Sequence, residues 1–405
     1  MSDAGETPAA GRWSALAVLT FARTAMGFQF HSVGAVGPLL ADRLEIASTE
    51  LGLLIGLFSL PGIVLAFPGG WLGARFGDRR LVLTGLTLMT LGSLTLGVAT
   101  SMFLAIVGRS LSAVGAVLLN VLLTKMVADR FAGREIIWAM TILVNSWPVG
   151  ITVASFTLPA IAHAWGPAVA FDVAAAAAAV AAVAVAVVER RSGARDRSET
   201  ASPRGALSHR EIGLVTAAAM PWMLYNAGFA IMLGFVPAFL VHEGLSMDRA
   251  GILVGLCTLL FMMSAQAGGA IAQWLARPEA LVSLGLVAFG GALVAMPHAS
   301  PLPALAVAGL FGGLPAGALV AAPTGVLRPA SRGAGMGLFY TWFYAGMSCL
   351  PPLAGWMQDI VGGNAALHVA ATAVGATLPS YWLFRLMMTR EPRAPQRNRA
   401  ITSLP

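Results

Sequence analysis

Twelve mostly apolar runs of about 20 residues or somewhat more, separated by polar segments, make up most of the chain. No aqueous fold hides that much apolar surface. Hydrophobic residues make up 57% and charged residues 11%, where a soluble domain carries about 25% charged residues. The mean hydropathy is +0.78. Hydrocarbon offers the backbone no hydrogen-bond partners, so lipid-covered segments must be helices or a closed barrel. A barrel would show alternation over roughly ten residues, and these runs are too long and too uniform for that. The pattern predicts an all-α membrane protein with twelve transmembrane helices, near 14–40, 49–73, 80–99, 102–126, 136–160, 166–188, 212–240, 248–274, 279–297, 301–326, 334–357 and 364–387.

The formal charge of +7 and a pI near 10.4 would suit a nucleic-acid binder if the charges were spread evenly. They are not. With the N-terminus placed in the cytoplasm, 21 of the 25 Lys and Arg residues fall in cytoplasmic segments, outside them only Arg43 and Arg249, and within spans Arg23 and Arg109. That bias is the positive-inside rule. It predicts a multi-pass protein of the cytoplasmic (inner) membrane with both termini cytoplasmic, whose partner is the bilayer and not nucleic acid. Asp3 and Glu6 precede a first span too long for a signal-peptide core, so no cleavage is expected. Cys257 and Cys349 both fall in apolar runs and support neither a disulfide framework nor a metal site.

One composition shift interrupts the pattern. Glu189–Arg210 (ERRSGARDRSETASPRGALSHR) reads as a flexible polar linker. It separates residues 1–189 from 211–405, six spans each, with 190–210 between and a cytoplasmic tail at the end. At an offset of 199, Pro38 aligns with Pro237, Gly52 with Gly251, Gly56 with Gly255 and Gly70 with Gly269, while Leu53 and Leu57 meet Ile252 and Leu256. A gapless register that matches prolines and glycines over two helices indicates a duplicated six-helix unit. The Ala-rich stretch before the linker, Phe171–Val188, suits close helix packing.

The segment Gly70-Trp-Leu-Gly73-Ala74-Arg75-Phe-Gly77-Asp78-Arg79-Arg80 resembles the signature loop of the major facilitator superfamily, except that Ala74 stands where the family has an aspartate. Arg109-Ser-Leu-Ser-Ala-Val-Gly115 is similar to that family's span 4 pattern, Phe131-Ala-Gly-Arg-Glu135 to its loop 4–5 pattern, and Pro352-Leu-Ala-Gly355-Trp-Met-Gln-Asp359 to its span 11 end. The resemblance covers essentially the whole chain. It implies two pseudo-symmetric six-helix bundles around a midplane site, and secondary active transport by alternating access. It further implies gating roles for Gly70, Arg75, Asp78 and Arg79. The antiporter glycines of span 5 are not met, since Asn145-Ser-Trp-Pro-Val-Gly150 supplies one Pro and one Gly. The stretch Arg23…Gly34-Ala-Val-Gly-Pro-Leu-Leu40 is most similar to bacterial carriers of the cyanate and nitroimidazole group.

Arginine within a span costs roughly 2.5–3.5 kcal/mol on insertion scales and needs a partner or a wet cavity. Arg23 and Arg109 lie in spans 1 and 4, which line the cavity in the family resembled, and no acid stands at their depth. Two cations without acids make a site for an anion, gripped by the planar guanidinium fork. His31, two turns beyond Arg23, is the candidate to carry a coupled proton. Gln29, Asn120, Asn145 and Trp147 in the first half, and Trp222, Tyr225, Asn226, Tyr340, Trp342 and Tyr344 in the second, are the candidates to complete the pocket.

The sequence holds no nucleotide-binding loop, no metal-spaced cluster and no nucleophile–base pair, so no cofactor, metal or enzymatic activity is expected. The expectation is a monomeric secondary carrier of a small anion, with protons as a second partner. The competing readings are a drug or amphipath exporter and a transport-inactive membrane sensor.

Overall fold

The computed structural model describes residues 9–65, 75–131, 135–191, 207–275, 278–328 and 331–389, in which every regular element is helical. The first half of the chain contains α1 (Ala9–Ala35), α2 (Gly37–Leu44), α3 (Ser48–Leu57), α4 (Leu60–Leu65), α5 (Asp78–Gly97), α6 (Met102–Arg130), α7 (Ile136–Trp165) and α8 (Pro167–Arg191). The second half contains α9 (His209–His242), α10 (Met247–Leu275), α11 (Pro278–Ala295), α12 (Pro301–Gly312), α13 (Ala316–Ala321), a 3-10 turn (Ala322–Gly325), α14 (Arg332–Val361) and α15 (Ala365–Thr389). Each expected span overlaps one helix or consecutive short ones, the second of them only as far as Leu65, since 66–73 lie outside the described residues. Among the described residues eight helical stretches are long and apolar enough to cross a membrane on their own. The helices α1, α11, α14 and α15 fall outside that set. The first of them carries Arg23, Gln29 and His31, and α14 carries Gln358 and Asp359.

The aligned prolines act differently in the two halves. Pro38 sits in the first turn of α2, just after the α1 helix breaks at Val36, whereas Pro237 lies inside the unbroken α9. A missing N–H is harmless at a helix start and must be accommodated in a helix interior.

Small residues set the packing distances. On the antiparallel pair α5–α6, Gly85 faces Gly115 and Gly92 faces Gly108, so a Cβ at any of the four would collide with the opposite backbone or side chain. Gly27 of α1 and Gly150 of α7 meet the same way, against the carbonyls of Trp147 and Thr24. Without a hydrophobic drive between helices in lipid, such close approach is what gives dispersion contacts their strength. Ala170, Ala174, Ala178 and Ala181 of α8 are fully buried while Val180, Val183 and Val187 face outward, an apolar helix whose small face packs inward.

The halves meet along two seams, α3 against α14 and α7 against α10. The glycines aligned by the repeat occupy equivalent places there. Gly52 and Gly56 abut the backbone of Pro351 and Ser348, and Gly251 and Gly255 abut Ser155, Pro159 and Phe156. All these seam residues lie toward one end of the bundle, the end with the turns at residues 45–47, 166 and 243–246. At the opposite end, where α8 ends and α9 begins, the ion pairs among the described residues stay within a half: Arg12–Glu135 at 3.2 Å, Lys125–Asp78 at 2.7 Å, Arg130–Glu189, Arg328–Glu211 at 2.7 Å and Arg385–Glu279. Glu211 also closes a capping box with Ser208 at the start of α9 and accepts from the Ser331 hydroxyl at 2.5 Å, pinning the entry to α14.

Candidate functional site

Arg23 projects from the middle of α1 into the space between the halves. Its Nη1 donates to the Thr124 hydroxyl of α6 at 3.4 Å, and its Nε is buried with no acceptor. From the second half, Tyr340 and Tyr344 of α14 lie within its electrostatic reach. Among the described residues no carboxylate pairs with it. Thr124 in turn donates to the carbonyl of Asn120, one helical turn back, at 3.0 Å. The Asn120 amide donates to the Tyr344 hydroxyl at 2.8 Å, joining the halves at mid-depth. The Tyr344 ring rests on Gly62, where no side chain would fit. An aromatic wall continues from Tyr344 to Phe343 at 5.0 Å, and from Phe343 to Tyr340 at 6.0 Å and Trp222 at 6.2 Å between ring centroids.

Arg109 does not join this chamber, which corrects the expectation of two cations facing one cavity. Its side chain is 1% exposed. The fork donates to the carbonyls of Leu54 at 2.9 Å, Gln29 at 3.0 Å and Phe30 at 2.8 Å, with the guanidinium carbon 4.4 Å from the Phe58 ring centroid. Those contacts tie α6 to α1 and α3 and satisfy the buried charge without an anion. Gln29 turns the same way. Its amide nitrogen, with two hydrogens to give, lies within hydrogen-bond reach of Met89 O at 2.8 Å, Ser112 Oγ at 3.1 Å and Ser93 Oγ, all inside the first half. His31 is 2% exposed, with Nε2 buried and unpartnered, and its charged neighbour is Arg109. Two turns along α1 carry it past the chamber, not into it.

The remaining candidates divide by helix face. Asn145 accepts from Gln266 Nε2 of α10 at 2.5 Å, a second polar tie between the halves. Trp147 packs on Phe30 with centroids 5.1 Å apart. Trp222 stacks between Phe339 and Phe343, its indole N–H buried with no acceptor. Tyr225 is 2% exposed and donates to Gly312 O at 2.7 Å, a packing role. Asn226 bonds back to Trp222 O at 2.8 Å. Trp342 donates to Thr216 Oγ1 at 3.3 Å, holding α14 to α9.

Of the loop residues, Gly70 lies outside the described residues. Arg75 is exposed beside the Phe76 ring. Asp78 takes Lys125, and Arg79 reaches Ala186 O at 3.4 Å. The Asp78 and Arg79 contacts stay within the first half.

Sequence reasoning passed over Thr124 and Phe343. Both were signalled by position, Thr124 one turn from Asn120 and Phe343 between Tyr340 and Tyr344. Asp359, at the end of the span 11 motif, had no expected role. In the structure Asp359 accepts from Ser48 N at 3.0 Å, Thr49 N at 2.7 Å and Thr49 Oγ1 at 2.5 Å. Elsewhere, an apolar cavity of about 310 Å³ opens on the flank between α1, α7 and α8, lined by Phe21, Phe28, Val153 and Val173 among others, with no charged group in its wall.

Comparison with known proteins agrees with this architecture. The chain is 28% identical over 116 residues to an uncharacterized transporter of Buchnera aphidicola subsp. Schizaphis graminum, covering 29% of each chain. It is 26% identical over 260 residues to the cyanate transport protein CynX of Escherichia coli K12, covering 58% of this chain and 60% of that one. Both matches therefore span less than two thirds of the relative's length. Among solved structures, a bacterial homolog of the human lysosomal transporter Spinster, inward-facing and unoccupied, superposes with a TM-score of 0.76 at 16% identity, covering 96% of this chain and 100% of that one. A peptide transporter of the POT type in complex with sulfate gives a TM-score of 0.73 at 14% identity, covering 93% and 94%. The family model described as Major Facilitator Superfamily matches residues 19–307, so the chain belongs to that superfamily.

Proposed function

We propose that this protein is a secondary carrier that moves a small anion across the cytoplasmic membrane by alternating access, with the linker and both termini in the cytoplasm. The observation that carries the reading is Arg23, a guanidinium held between the halves with an unpartnered Nε and no acid to neutralise it. A charge at that depth is costly unless water or a ligand meets it. The similarity to a cyanate transport protein supports an anionic cargo. The N-terminal bundle, residues 1–189, and the C-terminal bundle, 211–405, are the rocking bodies. Orientation rests on the placement of Lys and Arg. Contacts between the halves cluster at the end away from the linker, while the ion pairs named at the linker end stay within one half, which supports a state closed outside and open inside. The reading includes no coupled proton, because His31 sits beside Arg109 and apart from the chamber.

Counterflow in proteoliposomes loaded with cyanate, formate or nitrate tests it. Anion exchange that Arg23→Gln removes supports the carrier. Binding without exchange would make the protein a sensor, and exchange of cationic amphipaths alone would make it an exporter of drugs.

A further inference from the structure

The chamber around Arg23 is rich in hydrogens that have no acceptor. Thr124 already donates to Asn120 O, so toward Arg23 it serves only as acceptor for Nη1. That leaves the opposite edge of the guanidinium, Nε and the second Nη, presenting two parallel N–H groups. Tyr344 accepts from Asn120, so its own hydrogen is uncommitted. The Tyr340 hydroxyl lies within electrostatic reach of both Arg23 and Tyr344. Donors converge from both halves, and a matching ligand offers several lone pairs in one plane. A carboxylate does so, and it fits the edge of a guanidinium with two parallel bonds.

The second half adds a surface that a simple oxyanion would not use. Tyr340, Phe343 and Trp222 are all only partly buried, with their rings in mutual contact from α14 to α9. A three- or four-atom anion on Arg23 would leave uncovered these faces, which adjoin it through Tyr340 and Tyr344. A flat conjugated body would cover them through offset or edge-to-face contact.

We propose that the chamber takes a monocarboxylate carried on a planar aromatic body, its carboxylate on the Nε edge of Arg23 and its ring against the Phe343–Trp222 wall. This deepens the anion-carrier reading and rests on it. Because the head group sits on Arg23 of the first half and meets the tyrosines and aromatic wall of the second, such a ligand bridges the two bundles.

The test is titration calorimetry on the purified full-length protein in detergent with benzoate, cyclohexanecarboxylate, acetate, nitrate and benzamide, repeated on Arg23→Gln and Phe343→Leu. Benzoate is expected to bind about tenfold or more tighter than acetate, nitrate or cyclohexanecarboxylate. It should lose that margin over cyclohexanecarboxylate in Phe343→Leu, which keeps an apolar side chain, and should not bind detectably to Arg23→Gln. Equal affinity for benzoate, acetate and nitrate, all abolished by Arg23→Gln, would overturn the aromatic body and leave the anion reading intact. Equal affinity for benzoate and benzamide, both untouched by Arg23→Gln, would overturn the two together. A preference for benzoate that survives in Phe343→Leu would remove the proposed wall, which Trp222→Leu would check independently.

Discussion

Asp359 caps the helix that begins beside Thr49, from the other half of the molecule. The N-cap position of α3 is Ala47, which has no side-chain acceptor. Glu50 reaches back to the Ala47 N–H at 2.8 Å, and the next two N–H groups, Ser48 and Thr49, are taken by the Asp359 carboxylate at 3.0 and 2.7 Å. Helix starts need such acceptors, and here one is borrowed across the α3–α14 seam. Losing a cap costs about 1 kcal/mol, roughly a fivefold shift in a two-state equilibrium.

Asp359→Ala should therefore loosen the seam. With Cys257 and Cys349 replaced and Leu51→Cys introduced beside it, labelling by a membrane-impermeant maleimide is expected to speed up about fivefold. Adding Ala47→Asp gives α3 its own cap. That change should restore thermal stability and leave the faster labelling in place. If the second change restores both, the cap and not the tie between halves was what mattered.

Arg23 and Arg109 should separate cleanly in a stability assay. Hydrogen bonds from a charged donor contribute about 1.5–3 kcal/mol each, and Arg109 makes three to backbone carbonyls. Arg109→Gln is expected to lower stability by at least about 2 kcal/mol, read as a large drop in Tm. Arg23→Gln should leave Tm near the parent value and remove anion binding. A destabilised Arg23→Gln with intact binding would reverse the two roles.

Lysine at position 23 keeps the charge and discards the fork. Arg23→Lys is expected to bind the anion about tenfold more weakly without losing it. Tyr344→Phe deletes a donor and frees the Asn120 amide, so it should weaken binding by a smaller factor. Uptake rates at low substrate, measured on both variants, check the order.

The glycines at the seams leave no room for a side chain. Gly56→Val and Gly255→Val should each wedge the halves apart at a cost of about 1–3 kcal/mol, and both should raise labelling at Leu51→Cys. Gly269, aligned by the repeat with Gly70, has nothing within reach of an added Cβ, so Gly269→Val should leave labelling unchanged.

The fold was legible because the bilayer imposes it. Helix length follows from the apolar runs, and the repeated glycines that pack against the other half's backbone or side chains could be picked out by their spacing. The site was legible only in part. Arg23 and Arg109 look alike in sequence, each a lone arginine in an apolar helix. What separates them is the rotation of α1 and α6, which turns one fork toward the other half and the other onto Leu54, Gln29 and Phe30. That rotation is set by neighbouring glycines such as Gly27 and Gly115, and hydropathy does not encode it. The same turn of α1 hides His31 and Gln29. Asn120 and Tyr344 were recognisable as candidates, but their mutual bond depends on how the halves dock.

Pro351 and Pro352 have one more consequence. Lacking N–H groups, they leave the carbonyls of Met347 and Ser348 without helical donors, and the Ser348 carbonyl lies directly against Gly56. The seam is thus smooth, oxygen against glycine, with no interlocked side chains to disengage at that spot. Two such surfaces can part and rejoin by rolling, without any residue having to thread past another, and water entering the gap finds acceptors already waiting for it.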